Sequence, residues 1–135
     1  MISWFVDANV FLRFLTVDDQ GQHQKAVRLF EAALRGECSL ATGPPALFEL
    51  AWTLRAAYGT PRARVLEILS AVFATPGLTL TDASLVADAL TLASATGSEF
   101  ADAYIAASVR AAGCSGVATF NQKDFARLGV EQAQL

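Results

Sequence analysis

Apolar positions change their period several times along this chain, and each change marks an element. Ile2 to Val6 is a short unbroken apolar run, which predicts a buried parallel strand. Asn9 is placed to cap a helix through Phe14. From Gln22 to Leu34 the apolar residues Ala26, Val27, Phe30, Ala33 and Leu34 recur at helical spacing, and Gly36 ends that helix. Cys38 to Ala41 reads as a second strand. Pro44 and Pro45 open a helix that Gly59 stops after Tyr58. Pro61 opens the next, with Val65, Ile68, Leu69 and Val72 on one face, and Pro76 and Gly77 break it.

The same alternation continues to the end. Leu78 to Leu80 is a short strand, and Asp82 is placed to cap a helix through Ala95. Thr96 and Glu99 have capping-box spacing before a helix that ends near Gly113. Gly116 to Thr119 reads as another strand, Asn121 begins a last helical turn through Arg127, and the tail after Gly129 is a candidate edge strand. Strands alternating with helices predict a parallel sheet with helices on both faces. Ligands of such sheets sit at the carboxyl ends of the strands, where Asp7, Thr119 and Asn121 fall. Without repeats, linkers or low-complexity stretches, the 135 residues read as one domain spanning 1–135.

Three acids stand out against this pattern. Asp7 ends the first apolar run, Glu49 is the only charge from Pro44 to Leu54, and Asp102 is the only charge from Phe100 to Val109. A carboxylate in an apolar segment is costly unless something pairs with it. No Lys or Arg lies within those runs, so convergence of the three acids on a shared cation is the economical expectation. Each also has a structural alternative: helix capping for Asp7, a dipole-favoured first turn for Glu49, a bond to a neighbouring helix end for Asp102. Asn121 and Asp124 are equally suited to cap and first-turn roles.

Oxygen-only ligands suit Mg²⁺ or Mn²⁺. Zinc is disfavoured, since His23 is the only histidine and Cys38 and Cys114 are isolated. The cysteine usage, the absence of a basic region before the first apolar run and the absence of any long apolar stretch predict a soluble, cytoplasmic chain with no membrane segment. With 53% hydrophobic and 17% charged residues, the composition argues against disorder. A net charge of −3 argues against generic nucleic-acid binding, but Arg55, Arg62, Arg64, Lys123 and Arg127 can hold a backbone locally. No glycine-rich phosphate loop and no GxSxG elbow is present. An aspartyl-phosphate mechanism at Asp7 would want an acid where Asn9 stands.

Val6-Asp7-Ala8-Asn9-Val10-Phe11-Leu12 resembles the opening motif of PIN domains. Ala46-Leu47-Phe48-Glu49-Leu50 resembles their internal helix acid, Glu99-Phe100-Ala101-Asp102-Ala103 their third motif, and Thr119-Phe120-Asn121-Gln122-Lys123-Asp124-Phe125 their fourth. The resemblance implies a three-layer α/β/α sandwich with a central, mostly parallel sheet, and Mg²⁺- or Mn²⁺-dependent endoribonuclease activity on RNA. Small members of this kind look like VapC-type toxins, homodimers held inactive by a cognate antitoxin. Carried over, Asp7, Glu49 and Asp102 form the acidic core, Asn9 supports Asp7, and Thr119 orders the site. This chain departs from the pattern at Asn121, where many members have Asp; Asp124 is then the candidate fourth carboxylate. The alternative is a catalytically inactive PIN-like module that binds RNA or a protein.

Overall fold

A computed structural model describes residues Met1–Leu135. Three strands, β1 (Ser3–Phe5), β2 (Ser39–Thr42) and β3 (Leu78–Leu80), form one parallel sheet in the order β1-β2-β3. Ser3 lies opposite Ser39 and Phe5 opposite Ala41; Leu40 lies opposite Leu78 and Thr42 opposite Leu80. Seven helices complete the α/β sandwich: α1 (Ala8–Leu15), α2 (Gln20–Leu34), α3 (Pro44–Ala56), α4 (Arg62–Phe73), α5 (Ala83–Thr96), α6 (Phe100–Ala111) and α7 (Gln122–Arg127).

The core is assembled from the apolar stripes of these helices. Leu47, Leu50 and Leu54 of α3, Val65 and Leu69 of α4, Val86 and Ala89 of α5, and Phe100 and Ala103 of α6 are buried together with Val6 and Leu40 from the sheet region. Small residues at the α5–α6 contact, Ala89, Ala93, Ala103 and Ala106, let those two helices lie close together. At the carboxyl end of β1, Val6 N–H donates to the Ala41 carbonyl at 2.7 Å. The fully buried Thr42 hydroxyl donates to the Val6 carbonyl at 3.0 Å. These two bonds fix the backbone immediately before Asp7.

Several expectations are corrected. β1 is not a buried strand: Trp4 is 54% and Phe5 61% exposed. It is one of the two edge strands, paired on one side only, by β2. Gly116 to Thr119 does not join the sheet; Val117 instead makes an isolated parallel bridge to Gln132. Gly116 permits this, because a Cβ there would lie 2.3 Å from the Glu131 carbonyl oxygen. The tail is thus drawn to Val117 rather than to a sheet edge.

The helix caps also differ. Asp7, not Asn9, caps α1, its carboxylate accepting from Ala8 N–H at 2.8 Å. Thr96 and Glu99 form no capping box: the Thr96 hydroxyl bonds the Leu92 carbonyl and Ser98, and Glu99 makes no cap bond. Gly97, in the left-handed region, separates α5 from α6. Asp82 precedes α5 at φ 52°, a left-handed geometry that Asp tolerates, and its side chain makes no cap bond.

Candidate functional site

Asp7 follows β1 at the carboxyl edge of the sheet and is exposed, with one carboxylate oxygen engaged by Ala8 N–H. Glu49 is exposed on α3, in its second turn, beyond the first turn where a dipole would favour an acid. Its neighbours Leu47 and Leu50 are buried, so the helix turns its one acid outward. Asp102 is half-buried in the first turn of α6. Asp7 and Glu49 are therefore surface groups flanked by core residues, and only Asp102 is partly withdrawn from water. None of the three forms an ion pair, whereas the other arginine–carboxylate contacts of the chain are Arg13–Asp18, Arg35–Glu37, Arg55–Glu99, Arg64–Glu67 and Arg127–Asp124.

Burial raises the carboxyl pKa of Asp102 above the ordinary aspartate value, and the negative charges of Asp124 and Glu99 raise it further. The last helix thus brings Asp124 close enough for its charge to act on Asp102. Asp124 is held by two neighbours: Asn121 Nδ2 donates to its Oδ2 at 2.8 Å, and Arg127 Nη1 stands 3.6 Å from Oδ1. The Thr119 hydroxyl accepts from Asn121 N–H at 3.0 Å, which orders the turn leading into α7. Asn121 precedes α7 without capping it; its amide serves Asp124 instead. Asn9 lines a groove between α1 and α2 with Val10, Arg13 and Lys25.

The expected convergence is not what the geometry presents. Nowhere do three or more Asp, Glu, His or Cys side chains come close enough to hold one ion. Asp7 bonds the start of its own helix, and Asp124 bonds Asn121 and faces Arg127. The donor chemistry nevertheless suits a hard divalent cation, being oxygen only, with three acids lacking a positive partner.

The PIN domain family model matches residues 4–131. The chain belongs to the PIN domain family. No curated protein and no solved structure gives a significant match. PIN domains are in general metal-dependent nucleases; those nucleases act on RNA and often pair with antitoxins. Asp7, Glu49, Asp102 and Asp124 all fall inside the matched region of this PIN domain.

Two features of the site were not singled out from the sequence. The first is an aromatic cluster that holds α3 against α6. Phe48, next to Glu49, packs edge-on against Tyr104 at 4.9 Å and lies 5.4 Å from Phe100, which is two residues before Asp102. Burial, then the charge of Asp82, raises the Tyr104 phenol pKa. The second is a groove of about 560 Å³ between α3 and α6, whose wall includes Trp52, Arg55, Glu99 and Asp102. From the sequence Glu99 is only a capping-box candidate with Thr96; in the structure it is the extended residue before α6, three positions ahead of Asp102. No helix of this PIN domain is long and apolar enough to cross a membrane.

Proposed function

We propose that this PIN domain is a divalent-metal-dependent endoribonuclease, the toxin of a toxin–antitoxin pair, working in the cytoplasm as a homodimer. The observation that supports it most is the set of three acids, Asp7, Glu49 and Asp102, set in apolar segments and left without any basic partner. Those residues, with Asp124, would hold Mg²⁺ or Mn²⁺. Such an ion, when bound, supplies a deprotonated water for attack on phosphorus and stabilises the charge of the departing oxygen.

The chain's own side chains set the conditions for that chemistry. Asp102 must be deprotonated to act as a ligand, and burial, with the charges of Asp124 and Glu99, raises its pKa, so acid would weaken ion binding through this residue. The Asn121 amide donates to Asp124 and holds that acid in place. Phe48 and Tyr104 keep Glu49 and Asp102 on packed helices rather than on loops. Asn9, two residues after Asp7, would support that acid, and the Thr119 hydroxyl orders the turn before Asn121. A cognate antitoxin would inhibit by inserting a basic side chain among these acids in place of the ion.

The second reading is a catalytically inactive PIN-like module, favoured by the lack of any three-acid cluster. Titration calorimetry with Mn²⁺ and RNA cleavage by purified protein separate the two. The nuclease reading expects stoichiometric Mn²⁺ binding lost in Glu49→Gln and cleavage lost in Asp7→Asn or Asp102→Asn with the fold intact. No Mn²⁺ binding by the wild type at millimolar concentration, or variants that cut RNA as the wild type does, would overturn it.

A further inference from the structure

We propose that Trp52 is a stacking platform for a nucleobase of the RNA strand, making the α3–α6 groove a substrate subsite beside the acids. The inference rests on the nuclease reading above and adds to it a residue that positions the substrate.

Trp52 is 71% exposed. An indole left in water forgoes a large burial gain, so a surface tryptophan calls for an explanation. The ring has no aromatic partner within the chain; the stacked and edge-on pairs involve Phe11, Phe14, Phe30, Phe48, Phe100 and Tyr104 only. Its π-face is therefore free. Trp52 follows Glu49 by three residues, which puts both on the outward face of α3. It also lines the groove that reaches Asp102 on α6. One continuous surface thus joins an aromatic plane to two of the candidate site acids.

The occupant is argued from that continuity and from charge. A strand whose phosphate lies at Asp102 and Glu49 must place its adjoining bases on the surface next to them, and here that surface is Trp52. Stacking on an aromatic face is the common sequence-tolerant way to hold single-stranded RNA. Arg55 is the one cation lining the groove. Its Nε and Nη2 donate to Glu99 Oε1 at 3.2 and 2.8 Å, and its Nη1 to the Thr60 carbonyl at 3.2 Å. Three of the five N–H groups of the guanidinium are so engaged, which leaves two for a phosphate or a base edge. The ion pair with Glu99 also fixes the groove wall before substrate arrives.

The test uses the full chain carrying Trp4→Phe, which leaves Trp52 as the only tryptophan. Cleavage kinetics are measured on a single-stranded RNA oligonucleotide, and indole fluorescence is followed on adding the DNA oligonucleotide of the same sequence. Stacking predicts quenching of Trp52 emission by the DNA. It also predicts a rise in KM of about tenfold in Trp52→Ala with kcat little changed, and partial rescue in Trp52→Phe. Unchanged emission at saturating oligonucleotide together with an unchanged KM in Trp52→Ala would overturn the proposal and leave the nuclease reading intact. Quenching without any RNA cleavage by the Trp52 protein would support the base subsite while removing the nuclease reading. A Trp52→Ala protein that sediments as a monomer where the wild type is a dimer, at unaltered KM, would reassign this face to contact between copies and overturn the proposal.

Discussion

Asn121 Nδ2 donates to Asp124 Oδ2 at 2.8 Å, across the start of the last helix. A neutral amide thus stands beside the acid whose charge acts on Asp102, and it constrains that acid without adding to the local repulsion. Asn121→Asp replaces the bond with a like charge. In metal-free buffer at pH 7 the variant is expected to melt a few degrees below wild type, since a repulsive pair costs about 1 kcal/mol. Mn²⁺ should restore the difference and bind more tightly than to wild type. Thermal melts with and without Mn²⁺ check this; an equal Mn²⁺ increment in both proteins would show that position 121 is outside the ion's field.

Asp102 carries a pH signature of its own. Burial first, then Asp124 and Glu99, raise its folded pKa above the unfolded value near 3.9. A raised acid contributes stability that is fully present below the unfolded pKa and is lost as pH rises through the folded pKa. At pH 7 the ionised Asp102 is therefore a liability to the metal-free fold. Asp102→Asn is expected to melt higher than wild type at pH 7, and the gap should close toward pH 3. A variant that melts lower at pH 7 would mean that the carboxylate makes a stabilising contact.

The helices from Gln20 to Arg127 were legible because their apolar stripes coincide with buried faces, as at Leu47, Leu50 and Leu54. The apolar run at β1 cannot say whether the faces of the strand are covered, and on this edge strand Trp4 and Phe5 are exposed. The caps failed where a side chain had two partners to choose from. Asn9 and Asp7 both suited the start of α1, and the residue already at the helix boundary took it. At the site, the acids were visible as isolated charges in apolar text, but their spacing depends on loop and cap geometry. Trp52 reads from the sequence as core by default with an interface role as the alternative, and exposure, a tertiary property, decides between them.

The bond from Thr42 to the Val6 carbonyl predicts a stability effect at the edge of the site. Thr42 is fully buried, and Thr42→Val keeps its shape while leaving that carbonyl with one donor fewer. The expected loss is about 1–2 kcal/mol, or roughly 3–8 °C in melting temperature for a chain of this size. Any nuclease activity should fall with it at low temperature, since Asp7 is the next residue but one along from Phe5 and directly follows Val6. Chemical denaturation by urea measures the first effect, and an unchanged midpoint would show that water replaces the lost donor.

Phe48 joins fold and site most directly, because it sits beside Glu49 and packs on both Phe100 and Tyr104 of the helix that carries Asp102. Phe48→Ala removes a half-buried ring and its two aromatic contacts, which should cost about 2–3 kcal/mol. Phe48→Leu refills most of that volume and should recover more than half of the loss. The two variants separate packing from positioning. If Glu49 and Asp102 bind one ion together, Mn²⁺ affinity measured by calorimetry well below the melting temperature should drop in Phe48→Ala and recover in Phe48→Leu. If affinity is the same in both and in wild type while stability differs, the aromatic cluster holds the helices together without setting the distance between their acids.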